Sequence, residues 1–527
     1  MEPIVAIPTF THESPSTLLP LLRSATAELS SRGLHSSAKW SAELLASLRP
    51  SPSSSSSDLP GPQYRTSTPV RMKGGREGRE GRQSLPGLPP MFAIAQTRRD
   101  RDSLGSVMEM EGASSPVVAQ PERMEEEEED GEGEGGEEAR REWDKRDDDE
   151  QDLYTLALAY YRVHEHLRAA HTLRDCTGPK ARWLRNYAKF LAGDKKAQEE
   201  NGDLLGVKDK GVLNPYSTSI LTEMDGWEPG FIQSDGYLLF LKALLILSLP
   251  PLNPSTFTHQ APSASSETSD VRLLAIELLL ESVKLQPYNW SAWLKLTACL
   301  EGSEELEGII PFLPQVFTSS FFYVHTTLEM HAANPSLQMM LDRLADLFGE
   351  CSTIKGLRAL IHYHIREFDE ASTYFAALRE TDPYRIEDID TYSNILYVSE
   401  KRAELAMLAQ EYTKLDRSRP ETCCLVGNYY SIRREHEKAI LYFRRALKLD
   451  RAYLSAWTLM GHEYVEIKNT NAAIASYRRA VDVNRKDYRA WYGLGQTYEL
   501  LGESYYALNY YQKATALRFV SSSPITR

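Results

Sequence analysis

From residue 151 onward, apolar side chains recur at three- and four-residue spacing, interrupted by Gly or polar turns every dozen or so residues. That period lines apolar groups along one face of an α-helix. Residues 16–48 carry it too and read as two helices joined at Arg32-Gly33, with LHSSAKWSAELLASL as the second. No stretch alternates apolar and polar residues for long enough to make a sheet. The predicted class is all-α. The most apolar run, Leu238 to Leu249, is too short to span a bilayer and carries Lys242, so it reads as a buried helix and no membrane partner is expected.

A longer period is superposed on the short one. Trp457 and Trp491 are 34 residues apart, and the same step separates Gly427, Gly461 and Gly495, and Tyr430, Tyr464 and Tyr498. Ala439, Ala473 and Ala507 follow it, as do Phe443, Tyr477 and Tyr511, and then Ala446, Ala480 and Ala514. Within one unit the order is W-x2-L-G-x2-Y followed by A-x3-aromatic-x2-A, the pattern of the tetratricopeptide repeat, a helix–turn–helix of about 34 residues. Gly and Ala let the two helices approach closely, and the aromatics fill the gaps between neighbouring hairpins. A lone hairpin cannot bury its apolar face, so the units are expected to stack into a superhelical solenoid with a concave groove. The frame extends upstream through Ala371, Phe375 and Pro383, through Ala275, Leu279 and Pro287 with Trp293 and Leu296, and through Tyr160, Ala169 and Leu173. Residues 305–350 take no clear register. The array is expected over 151–518, with the 16–48 hairpin stacked at its start.

Composition adds a break in this picture. The chain has 60 Lys+Arg against 74 Asp+Glu, a net charge of −14, yet residues 122–150 alone hold 17 acidic and 5 basic residues. The rest is nearly neutral, which argues against a nucleic-acid-binding surface. SPSSSSSDLPGP, RMKGGREGREGR and EEEEEDGEGEGGEE lie between 51 and 150 and cannot bury enough surface to offset their ordering entropy. The expected organisation is an N-terminal helical hairpin over 1–50, a long disordered insertion over 51–150, N-terminal repeats over 151–250 and a Ser/Thr/Pro-rich loop over 251–270. Degenerate repeats over 271–385, regular repeats over 386–519 and a tail over 520–527 follow. Ser51, Thr68 and Ser115 each precede a proline, a pairing common by chance in such segments. Five cysteines with no C-x-x-C pair read as small core residues of a reduced, intracellular protein.

Catalytic chemistry finds little purchase, and no cofactor is expected. There is no phosphate-cradling loop, no H-E-x-x-H and no nucleophile elbow. His164, His166 and His171 fall on an expected helix, but two turns is a long reach for one ion and Arg162 and Arg168 oppose a cation, so no metal site is expected. His362 and His364 are two apart and point to different faces. Function is then expected in the groove. The inner-helix positions facing it are Cys424, Thr458 and Tyr492, then Asn428, His462 and Gln496, with Glu466 and Glu499 further along. Asn, His and Gln side chains suit the backbone of an extended peptide, and the two glutamates suit an arginine. A chaperone-tail clamp would need basic residues at these positions, and they are not basic.

The run from CCLVGNYYSIRREHEKAILYF to YYQKATALR resembles the subunit 8 family of the anaphase-promoting complex, or cyclosome. SSRGLHSSAKWSAELL, RNYAKFLAG at 185–193 and IEDIDTYSNILYVSEK at 386–401 distinguish it from sister subunits, and the resemblance covers about 400 of 527 positions. It implies a scaffold, not an enzyme, within a cullin–RING ubiquitin ligase that acts in mitosis, with a nuclear and cytoplasmic location. It further implies homodimerisation through the N-terminal repeats, stacking on other repeat subunits, and a C-terminal groove that receives a short coactivator motif, sometimes bearing arginine. The family continues with further repeats, so a chain ending in ALRFVSSSPITR is expected to be a shortened form or one whose last helix a partner covers. Arg451 and Arg485 stand where proline often ends a unit and are expected to lengthen the second helix. The alternative is a general peptide-binding repeat adaptor, or the repeat half of a larger enzyme.

Overall fold

The computed structural model describes residues 15–48, 150–201, 213–228, 230–249, 264–334 and 336–520. The insertion expected over 51–150 lies outside the described residues except for Glu150. All regular structure among the described residues is helical. The loop expected over 251–270 gives way at Ala264, where the helix Ala264–Leu285 begins.

In the C-terminal part the helices pair as hairpins: Ser352–Ile365 with Phe368–Thr381, Ile389–Val398 with Arg402–Leu415, Pro420–Ile432 with His436–Leu449, Leu454–Glu466 with Thr470–Val483, and Tyr488–Leu500 with Ser504–Val520. Each first helix ends in the same way. Arg366, Glu400, Arg434, Lys468 and Gly502, spaced by 34, all adopt left-handed backbone, with φ of 73°, 53°, 61°, 64° and 79°. The next residue's N–H then reaches back five residues, as from Glu435 to the Tyr430 carbonyl (3.0 Å) and from Asn469 to the Tyr464 carbonyl (2.8 Å). This closure satisfies carbonyls that the helix end would leave bare.

The chain between hairpins is fixed by a second recurring device. Asp382, Asp416, Asp450 and Asn484 each accept, through side-chain oxygen, the N–H two residues on, at 3.3, 2.7, 2.9 and 2.9 Å. Such turns compete with continued helix and stop it. The second helices accordingly end at 381, 415, 449 and 483, whether Pro383, Arg451 or Arg485 follows. Arg451 and Arg485 therefore do not lengthen the helix, contrary to expectation. Their carbonyls instead accept the indole N–H of Trp457 and Trp491, both at 2.9 Å, as the Pro287 carbonyl accepts that of Trp293 at 2.8 Å.

The repeating glycines mark helix contact. A Cβ on Gly427 would lie 2.4 Å from the Phe443 ring, one on Gly461 2.5 Å from Tyr477, and one on Gly495 2.6 Å from Tyr511. Tyr477 also fills the space over Gly493 of the next hairpin, where a Cβ would meet it at 2.5 Å. One aromatic thus wedges against its own hairpin and its neighbour. Ala439, Ala473 and Ala507 are buried with Trp457, while Tyr430, Tyr464, Tyr498 and Trp491 pack half-buried against the same core.

Upstream the hairpins are less regular. Pro311 and Pro314 cut the chain between Ser303–Ile309 and Phe317–Glu329, and a 3-10 turn, Ile310–Phe312, bridges the cut. That break is why residues 305–350 took no register. His164 does not lie on a helix as expected but in the left-handed turn (φ 66°) between Gln151–Arg162 and His166–Thr172.

The N-terminal hairpin, Pro15–Ser31 and His35–Ser47, is not simply stacked at the start of the array. Tyr154 donates its hydroxyl to the Ser31 carbonyl (2.6 Å), Trp183 its indole N–H to the Arg32 carbonyl (2.9 Å), and Arg32 pairs with Asp235 (2.9 Å). Further along, Ser37 bonds Ser291 (2.7 Å), Trp40 stacks on Trp290 at 4.5 Å and meets Phe321 edge-on, and Lys39 pairs with Glu387. The hairpin runs along the N-terminal helices and reaches the first regular repeat.

Candidate peptide-binding lumen

The first helix of each hairpin supplies the inner wall, and the structure treats the expected groove residues unequally. Asn428 is buried, and its amide donates to Ser393 Oγ (2.8 Å) and Asn394 Oδ1 (2.7 Å) on the preceding inner helix. Cys424 and Thr458 are buried in the same way, because adjacent inner helices crowd at these positions, whereas Tyr492 is open. His462 is exposed to solvent within the lumen, with Nδ1 2.8 Å from the Tyr477 hydroxyl. The surrounding walls desolvate its ring and hold its pKa down to about 4, with help from the Arg489 charge. Glu499 accepts the Tyr511 hydroxyl at 2.6 Å. Glu466 and Gln496 are exposed and make no side-chain hydrogen bond among the described residues.

The most concentrated electrostatics lie one hairpin earlier, at residues that sequence reasoning missed. Asp388, in left-handed backbone (φ 62°), starts the helix Ile389–Val398 and has its pKa raised to about 6 by burial, with Asp390 and Glu387 adding to the rise and Arg385 opposing it. Glu421 is also raised, chiefly by burial; its Oε2 accepts no hydrogen bond and faces Arg419 Nε at 3.8 Å. Buried Asp390 is bonded by the Tyr453 hydroxyl, whose pKa burial drives well above the phenolic range. Three acidic groups thus crowd at a desolvated site with Arg385 and Arg419 as partial compensation, an arrangement that a further cation would stabilise. Stepping the inner positions Cys424 and Asn428 back by 34 lands on Asp390 and Asn394, so the repeat frame held this signal.

Asp388 and Asn394 also line a lumen cavity of about 1250 Å³ that reaches Lys295, His364, Lys486 and Arg489. His362 turns the other way, with Nδ1 2.7 Å from Glu367 and 3.0 Å from Glu370 at its own hairpin's turn. All five cysteines are free thiols, and four of them are buried. None of the described helices is long and apolar enough to cross a membrane.

Paired helices at a 34-residue step, closed by the same turns and wedged by the same aromatics, define a tetratricopeptide-repeat solenoid, and repeat models match residues 420–453, 461–502 and 488–519. Within that class, the model of anaphase promoting complex subunit 8 / Cdc23 matches residues 18–249 and 266–359, and the chain belongs to this family. It is 36% identical over 428 residues to anaphase-promoting complex subunit 8 of Arabidopsis thaliana, covering 81% of this chain and 62% of that protein. It is 41% identical over 272 residues to the human cell division cycle protein 23 homolog, covering 51% of this chain and 42% of that protein. A solved hetero-tetramer, Cut9-Hcn1 of the same complex, aligns over 70% of this chain and 72% of that one at 16% identity, with a TM-score of 0.41. The chain spans less than two thirds of the length of these two curated relatives.

Proposed function

We propose that the chain serves as a non-catalytic scaffold subunit of the anaphase-promoting complex, a cullin–RING ubiquitin ligase of mitosis, in the nucleus and cytoplasm. In this reading it pairs with a second copy, stacks on other repeat and scaffold subunits, and receives a short basic coactivator motif in its lumen. Supporting self-association, Leu153 and Leu156 on the first repeat helix, Val163 in the turn after it and Leu167 on the second are exposed at 45–68%, apolar surface that a second copy would cover.

The single observation that carries the peptide reading is the crowding of Asp388, which borders the lumen cavity, with buried Asp390 and half-buried Glu421. An incoming guanidinium would gain charge-assisted bonds and relieve the repulsion. Fluorescence anisotropy with a labelled, arginine-bearing coactivator peptide tests this. Asp390→Asn with Glu421→Gln is expected to weaken binding about tenfold or more, with circular dichroism as the check on folding. Glu466→Ala with Glu499→Ala, the pair read from the sequence, is expected to cost less because both side chains are solvated. Unchanged affinity in the first variant would sink the lumen reading.

A further inference from the structure

In a repeat solenoid each unit ordinarily touches only its neighbours. This one departs from that rule at residues 484–489, the turn between the helices Thr470–Val483 and Tyr488–Leu500. The Lys486 ammonium donates to the Thr297 carbonyl at 3.1 Å, beside the capping Leu300 N–H, at the C-terminal end of the helix Trp290–Cys299, where the helix dipole is negative. The Asp487 side chain is fully buried; it caps its own helix through the Arg489 N–H (3.0 Å) and faces His331 Nε2 at 3.4 Å. His331 in turn meets the Tyr488 ring edge-on at 5.4 Å and His364 Nδ1 at 3.2 Å. Three side chains of one hairpin's entry, Lys486, Asp487 and Tyr488, thus engage residues more than 150 positions earlier in the chain. Lys486, Arg489, His331 and His364 all border the lumen cavity.

We infer that the 484–489 turn is a clasp that closes the superhelix on itself, so that the lumen admits an extended peptide by its free end, or a looped one only after the clasp opens. The inference rests on the lumen being the peptide site. Its structural logic is that the contacts are few, polar and at the cavity's edge. Such a contact opens without unfolding a hairpin, because each hairpin's own core lies elsewhere. It selects for flexible chain ends over folded elements, since a helix with its side chains is about 10–12 Å across and demands an open groove.

The test uses the whole chain. Lys295 and Lys486 border the same cavity beside Cys299, so an amine-reactive crosslinker read by mass spectrometry is expected to join them. The crosslink should fall several-fold in His331→Ala with Tyr488→Ala, which leaves the Asp487 cap intact. In the same variant, stopped-flow association of the linear coactivator peptide should speed up about tenfold, and a head-to-tail cyclised version should bind it while barely entering the wild type. Absence of the Lys295–Lys486 crosslink, while lysines within single hairpins do crosslink, overturns the clasp. A lost crosslink with unchanged association rates for both peptides overturns its role at the entrance. Failure of either peptide to bind any form overturns the lumen reading and the entrance role with it, and the crosslink then decides the closure alone.

Discussion

The regular repeats after residue 386 and the N-terminal half reach the same helical architecture by opposite means. In the C-terminal array the units draw on one set of short-range devices: a left-handed residue closing the first helix of each, a glycine under an aromatic ring in three, an Asx turn stopping the second helix in three, and in two an indole holding the carbonyl six residues back. Each acts within its own hairpin or the next. In the N-terminal half such devices occur without the fixed 34-residue step, as in the left-handed turns at Gly33, His164 and His331 and the Trp293 indole on the Pro287 carbonyl. The fold there is further tied by contacts of long sequence separation through the hairpin Pro15–Ser47, which touches Tyr154, Trp183, Asp235, Trp290 and Glu387 in turn. The difference teaches that periodic sequence accompanies local stabilisation, and loss of period accompanies an internal strut that adds to it. The strut also carries a larger ordering cost, since long loops must close before its contacts form.

The sharpest way to break that contrast is Trp40→Ala. Trp40 is buried between Trp290, Phe317 and Phe321, so its loss should cost about 3–5 kcal/mol and fall on the N-terminal half. Hydrogen exchange is expected to show faster exchange over 150–330 with little change after 420; a uniform acceleration along the chain would mean that the hairpin holds both halves together. Within the regular array, Gly461→Ala pushes a methyl into the Tyr477 ring and should cost about 1–3 kcal/mol, as read by the urea midpoint. Its effect should centre on 454–500, the two hairpins that share Tyr477. A destabilisation as large at residues 150–250 would contradict the local character of this half. Smallest of all, Arg434→Gly relieves a non-glycine residue in left-handed backbone at the place where Gly502 stands in a later unit. A gain of about 0.5–1 kcal/mol is expected after the entropy of the freer unfolded chain is deducted, measured as a raised melting temperature. Loss of stability there would show that the Arg433–Glu435 turn depends on the Arg434 side chain.

The legibility of the fold follows the same divide. Trp457, Gly461, Tyr464, Ala473 and their equivalents were readable because each makes its contact within a fixed number of residues, so the sterics repeat with the sequence. The turn residues Arg366, Glu400, Arg434 and Lys468 share the step but not the residue type, and without glycine at those positions the chain hides its left-handed turns. Of the groove positions, Asn428 reads as a peptide ligand on its own, yet the closeness of the next inner helix closes it off against Ser393 and Asn394. The acids at Asp388, Asp390 and Glu421 went unread because the first two belong to a hairpin without the tryptophan or glycine landmarks.

By itself, then, the sequence determined the helices, their pairing into 34-residue hairpins and the absence of sheet among the described residues, all of which rest on hydrogen bonds and packing between residues near in the chain. The tertiary structure alone decided where the N-terminal hairpin lies, which carboxylates are desolvated together and that the turn at 484–489 meets Thr297 and His331. Those outcomes depend on curvature, the sum of small rotations between successive hairpins, and no single residue or spacing encodes that sum.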